Sequence, residues 1–126
     1  MKRIIISVIL LAICIGAAAV EMYYINIRAD YYLDRIEQVD KFMLKNDFES
    51  ALPLCKDIDE SWSSTAEKIN TMLIHDYIDD IGLSIAQMRS HIESSNPDMY
   101  FAESSGAKKG LASMKNSEFL SLENIF

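Results

Sequence analysis

Glycine and proline are scarce in this 126-residue chain, at four and two residues, so few turns interrupt it and most of it should be regular structure. Cysteine is nearly absent too. Cys14 falls inside an apolar run and Cys55 far outside it, so no bridge between them is expected and apolar packing must hold the fold together. No segment alternates with a period of two and no hairpin dipeptide occurs, which argues against strands. Basic residues are few beyond the first three positions. From Glu21 onward 10 basic residues face 19 acidic ones, a net charge of −9. Nucleic-acid binding needs clustered Lys and Arg to release counterions, so that class is excluded. Anionic lipid heads would likewise repel the acidic part. A phosphate-cradling glycine loop, a serine nucleophile elbow and a Cys-x-x-Cys pair are all missing. The chain is therefore not expected to be an enzyme, and neither a cofactor nor a catalytic residue is assigned.

What is present begins with a charge-free run from Ile4 to Val20, with Ser7 its one clearly polar residue. Its seventeen residues make a helix of about 25 Å, at the short end of what spans a bilayer. Met22, Tyr23, Tyr24 and Ile25 would carry it through the headgroup zone, where tyrosine is favoured. Lys2 and Arg3 precede the run and place the N-terminus in the cytoplasm by the positive-inside rule. Three readings compete with a signal-anchor. Ala17-Ala18-Ala19 is a passable cleavage site, but the helical pattern runs through it unbroken. Cys14 follows Ile13 where a lipoprotein site needs a small residue. A pilin-like stem wants its acidic residue near the start of the run, whereas Glu21 follows it. The expected division is residues 1–24 as a membrane anchor and 25–126 as an extracytoplasmic helical domain on a single-pass protein of the cell membrane.

Beyond the run the apolar positions recur at helical spacing. One stripe is Ile25, Ala29, Tyr32, Ile36, Val39 and Met43, continuous with the membrane segment. Asn46-Asp47 breaks it, with Asp47 as N-cap of the next helix. A second stripe is Cys55, Ile58, Trp62, Ala66, Ile69 and Leu73, with Pro53 tolerable near its start. The phase slips near Ile74-His75 and resumes at Ile74, Ile78, Ile81, Ile85, Met88 and Ile92. Ser94-Ser95-Asn96-Pro97 is the clearest break, with Asn96 as N-cap and Pro97 at the first helical position. The last stripe is Tyr100, Ala107, Leu111 and Met114, expected to end at Asn116-Ser117. The fold class is all-α: a long N-terminal transmembrane and stalk helix continuing into an antiparallel bundle of about four helices.

Four features together resemble a known family. They are Met1-Lys2-Arg3 before the apolar run, the isolated Trp62, Ile74-His75 opening a helix of isoleucines, and the closing Ser121-Leu122-Glu123-Asn124-Ile125-Phe126. The order is similar to that of short helical proteins of Firmicutes grouped as domain of unknown function number four-three-six-three. The resemblance implies an anchored helical domain and no catalytic residues. A second likeness is local: Asn46 to Leu52 is similar to the start of the second helix of a tetratricopeptide repeat, without a second copy.

His75 and Asp79 lie at i, i+4 and could supply half a metal site, with Asp57, Asp59 and Glu60 nearby in sequence. The commoner reading is a turn with dipole-favoured aspartates, so no metal is assigned. Cys55 and Trp62 lie on the apolar stripe and read as core. Five apolar residues close the chain, Phe119, Leu120, Leu122, Ile125 and Phe126. They must either fold back over the bundle, which is the commoner outcome in a small domain, or be offered to a partner, for which they are the candidate interaction surface. The expected function is a membrane-tethered interaction module, an accessory subunit to another membrane protein or a homo-oligomer. The alternative is an extracytoplasmic ligand-sensing domain, which, with no second membrane helix after it, would signal through a partner.

Overall fold

The computed structural model describes residues 1–69 and 75–125, with side chains described through Asn116 except that of His75. Four helices follow one another: α1 (Lys2–Leu44), α2 (Phe48–Ile69), α3 (His75–Glu93) and α4 (Pro97–Ile125). No strand occurs among the described residues. Each helix packs on two neighbours, in the cycle α1–α2–α3–α4–α1, which makes an antiparallel four-helix bundle.

The described residues of the stripes read from the sequence on α1, α3 and α4 form its core. Ile25, Ala29, Tyr32, Ile36, Val39 and Met43 of α1 are buried, as are Ile78, Ile81, Ile85, Met88 and Ile92 of α3. Tyr100, Ala107, Leu111 and Met114 of α4 close the fourth side. In α2, Cys55, Ile58, Trp62 and Ile69 are buried. Thr65 takes the fully buried place and Ala66 is only half-buried. Leu73 and Ile74 lie outside the described residues, as does the expected turn between α2 and α3.

Both described connections are built the same way. Asn46 and Ser95 take positive φ, 56° and 55°, where an L-residue other than Asn or Asp is uncommon. Each connection carries the paired backbone bonds that close a helix: Asn46 N to Met43 O with Asp47 N to Phe42 O, and Ser95 N to Ile92 O with Asn96 N to His91 O. The last residue of each connection then starts the next helix. Asp47 Oδ1 accepts from Ser50 N, and Asn96 Oδ1 from Met99 N, as expected of two N-caps. Both tight reversals lie at the end of the bundle farthest from the apolar run.

Of two expectations about the helix boundaries, one holds and one does not, each for a physical reason. Pro53 sits in the second turn of α2 without ending it, which fits the greater tolerance of proline near a helix start. Asn116-Ser117 does not end α4, which continues to Ile125. Neither residue breaks a helix as glycine or proline does, since each is only a few tenths of a kcal/mol poorer than alanine. The backbone from Phe119 to Ile125 therefore continues α4.

The α3–α4 seam is close enough to require glycine. A Cβ on Gly110 would lie 2.7 Å from Ile81 Cγ1, inside van der Waals contact. Absence of a side chain there lets α4 approach the isoleucine face of α3.

Candidate functional site

The apolar run stands apart from the bundle. Residues 2–20 are exposed throughout except for half-buried Ala18. The core begins only at Ile25. This is one helix long and apolar enough to cross a membrane by length and composition, and it is near the N-terminus. Just beyond the run, Tyr23, Ile27 and Tyr31 recur every four residues and remain exposed. They lie away from the side of α1 that carries Ile25, Ala29 and Tyr32.

Inside the bundle, polar chemistry gathers at one carboxylate that the sequence reading missed. Asp40 is buried between α1 and α4. Its Oδ1 accepts from Tyr100 Oη at 2.7 Å and from Ser104 Oγ at 2.6 Å, and its Oδ2 accepts from Lys108 Nζ at 2.8 Å. Tyr100, Ser104 and Lys108 follow at four-residue steps and so lie along one face of α4. Burial, reinforced by the charge of Asp40 and the bond to it, pushes the Tyr100 phenol far above its ordinary value of 10.0. The phenol therefore stays protonated and donates. With three donors from the chain itself, the carboxylate acts as a tie between the first and last helices.

A second polar cluster joins α1 to α2. Tyr32 Oη lies 3.0 Å from Ser61 Oγ and 2.9 Å from Thr65 Oγ1. This hydroxyl pair explains why Thr65 is buried, because each buried group meets a partner. Ser63 and Ser64 face solvent. Trp62 stands edge-on to Tyr32 at 5.0 Å between ring centroids and donates Nε1–H to Ile78 O at 3.4 Å. It is core, not an open platform.

Cys55 is fully buried on the same stripe. Burial first, and then Asp59, push its thiol up from 9.0 to about 12, against a lowering contribution from Arg89. Arg89 in turn bridges Asp59 at 3.2 Å and Glu93 at 3.4 Å. A thiol held neutral is a poor nucleophile. We expect Cys55 in a Cys14→Ser protein to resist alkylation at neutral pH until the fold opens. The pH dependence follows from the sign of these shifts. With the folded pKa raised above the unfolded one, the associated stability is complete below pH about 9 and is lost as pH rises toward 12. Tyr100 adds to the loss once pH passes its ordinary value of 10.0. Thermal melting against pH checks this, and a melting temperature that stays level through that window would refute it.

Asp79 is exposed, and the side chain of His75 lies outside the described residues. Among the described residues no three His, Cys, Asp or Glu groups converge as a metal site. Of the candidate interaction residues, Phe119, Leu120, Leu122 and Ile125 fall within α4, with side chains outside the described set, and Phe126 lies outside the described residues.

An exposed apolar N-terminal helix running into a four-helix bundle, tied by a buried carboxylate, defines an all-helical protein with one candidate membrane-spanning segment. Residues 19–125 match the family described as a domain of unknown function (DUF4363), and the chain belongs to that family. The match begins at Ala19 and so covers the bundle rather than the apolar run. No curated protein and no solved structure matches the chain.

Proposed function

We propose that this chain is a membrane-tethered helical interaction module, an accessory subunit of another membrane protein or of a second copy of itself. One observation carries the reading: an apolar helical segment of near-bilayer length that no part of the bundle covers, continuous with a packed helical domain. Uncovered apolar surface of this extent favours lipid, because a lone water-exposed patch so large is rare in soluble monomers. Lys2 and Arg3 favour a cytoplasmic N-terminus, with the bundle on the far side. Binding is favoured over catalysis because the buried Asp40 carboxylate is fully engaged by Tyr100, Ser104 and Lys108 of the chain itself. Tyr23, Ile27 and Tyr31, exposed just beyond the run, offer a seam for a neighbouring helix.

The test is cross-linking in intact cells that produce the full-length protein, followed by an alkaline carbonate wash and recovery in mild detergent. We expect the protein to stay with the membrane and to carry a reproducible cross-linked membrane partner or a second copy. Release by carbonate would overturn the tether, and recovery of the chain alone would overturn the module.

A further inference from the structure

We infer that the outward face of α1 seats a membrane helix of a different protein, one that carries basic residues outside the bilayer level with Asp34 and Glu37. The inference rests on the anchored reading above and names the kind of partner it takes.

The phase of one unbroken helix builds this face. Ile25, Ala29, Tyr32 and Ile36 turn into the core, and Tyr32 and Asp40 hold α2 and α4 on that side. Opposite them Gly16, Val20, Tyr23 and Ile27 follow in steps of four, three and four. Such steps make the 3.5-residue repeat along which two helices wind together. Val20 is 69% exposed, Tyr23 70% and Ile27 47%. Tyr23 and Ile27 stay uncovered although they lie roughly 5 and 10 Å beyond the charge-free run. A Cβ on Gly16 would meet nothing within 4 Å, so another backbone can approach closely there. With the bundle on the other side of α1, the described parts of α2, α3 and α4 leave the path of a neighbouring helix clear.

Charge decides which helix fits. The same steps continue to Asp30, Asp34 and Glu37, all exposed. Asp30 pairs with Lys115. Asp34 accepts from the neutral amide of Gln38. Among the described residues no cation bridges Asp34 or Glu37. Two copies of this chain, inserted with the same topology, would run parallel and bring like residues together. Asp34 would meet Asp34 and Glu37 would meet Glu37, between bundles that each carry −9. Like charges facing each other along a helical seam disfavour that pairing. Lysine or arginine at those two levels makes both contacts attractive, and the field of the acidic bundle steers such a helix toward the face. The partner's span is therefore followed by apolar turns outside the lipid and then, roughly 20 Å past the run, by basic ones.

The test uses the full-length protein in phosphatidylcholine vesicles, with a donor dye at Lys45→Cys in a Cys14→Ser background. Two synthetic peptides serve as probes, each a leucine and alanine span continued outside the lipid by a helix that bears the acceptor. One has lysine level with Asp34 and Glu37, and the other has glutamate there. We expect energy transfer to show the lysine peptide binding about tenfold more tightly, because two contacts change sign. The double variant Asp34→Lys with Glu37→Lys should reverse the preference. It moves the bundle's charge by four, from −9 to −5, so a reversal reports the seam and not overall attraction. Ile27→Glu should weaken both peptides. Equal transfer to the two, or a preference that the double variant leaves unreversed, would overturn the inference. Stronger transfer between two labelled copies than to the lysine peptide would also overturn it and give the face to a second copy. In each of these cases protein that floats with the vesicles leaves the tether standing. Protein that does not float would overturn the anchored reading and this inference with it.

Discussion

Replacing Asp40 by alanine is expected to destabilise the bundle by about 3 kcal/mol, because one side chain serves three donors. The loss falls unevenly. Lys108 is partly exposed and can turn to water, so its share is that of a half-screened ion pair. Tyr100 and Ser104 are buried, and their hydroxyls are left without that acceptor in an interior that water does not reach. Lys108→Met should therefore cost only about 1 kcal/mol, since both hydroxyl bonds survive. Asp40→Asn should fall between, because an amide oxygen can still accept while its NH2 group faces the lysine. For a domain of this size the alanine variant should melt roughly 15 °C lower than wild type. Equal losses for Asp40→Ala and Lys108→Met would mean that the ion pair, and not the buried hydroxyls, makes the tie.

The second large effect is a reversal of sign at Gly82. Trp62→Ala should cost about 4 kcal/mol through lost burial and the cavity left between α1, α2 and α3. In the wild type a Cβ on Gly82 would lie 3.1 Å from Trp62 Nε1 and 3.3 Å from Cδ1. The indole has little room to yield, since Tyr32 meets it edge-on and Ile78 O accepts from its nitrogen. Gly82→Ala should thus cost about 1 kcal/mol in the wild type, the crowding exceeding the gain in helix propensity. Remove the indole and only the propensity gain remains, so the same change should stabilise the Trp62→Ala protein by up to about 1 kcal/mol. A double-mutant cycle measured by denaturant unfolding reads the coupling directly. Additive effects would show that Gly82 and Trp62 do not constrain each other.

These two sites also mark where sequence reading succeeded and where it stopped. Trp62 was legible because apolar periodicity tells which face of a helix turns inward, and its stripe is buried as expected. Asp40 was passed over although its phase was available: it stands four residues after Ile36 and three before Met43, on the inward side of α1. Ser104 stands in the same relation to Tyr100 and Ala107. Two polar residues in phase on two apolar stripes are a readable hint of a buried tie. Periodicity does not say which residue of one helix meets which of another, because that depends on the register between them. Thr65 displaced Ala66 for a similar reason, since the partner that rewards its burial is Tyr32 on a different helix. The end of α4 was misjudged because Asn116 and Ser117 disfavour a helix only weakly.

The unbroken course of α1 has a mechanical consequence. Its 43 residues contain no proline, and the helix enters the apolar run and the core of the bundle without a joint. Set in a bilayer as proposed, the 25 residues from Val20 to Leu44 form a lever about 36 Å long. A tilt of about 20°, ordinary for a membrane helix, would swing the far connections sideways by about 12 Å. Tilt accommodates a segment longer than the local hydrocarbon, so this one, at the short end of the range, would tilt most where the lipid is thinnest. Local thickness of the lipid would then set where the reversals at Asn46 and Ser95 point, and with them whatever the bundle touches.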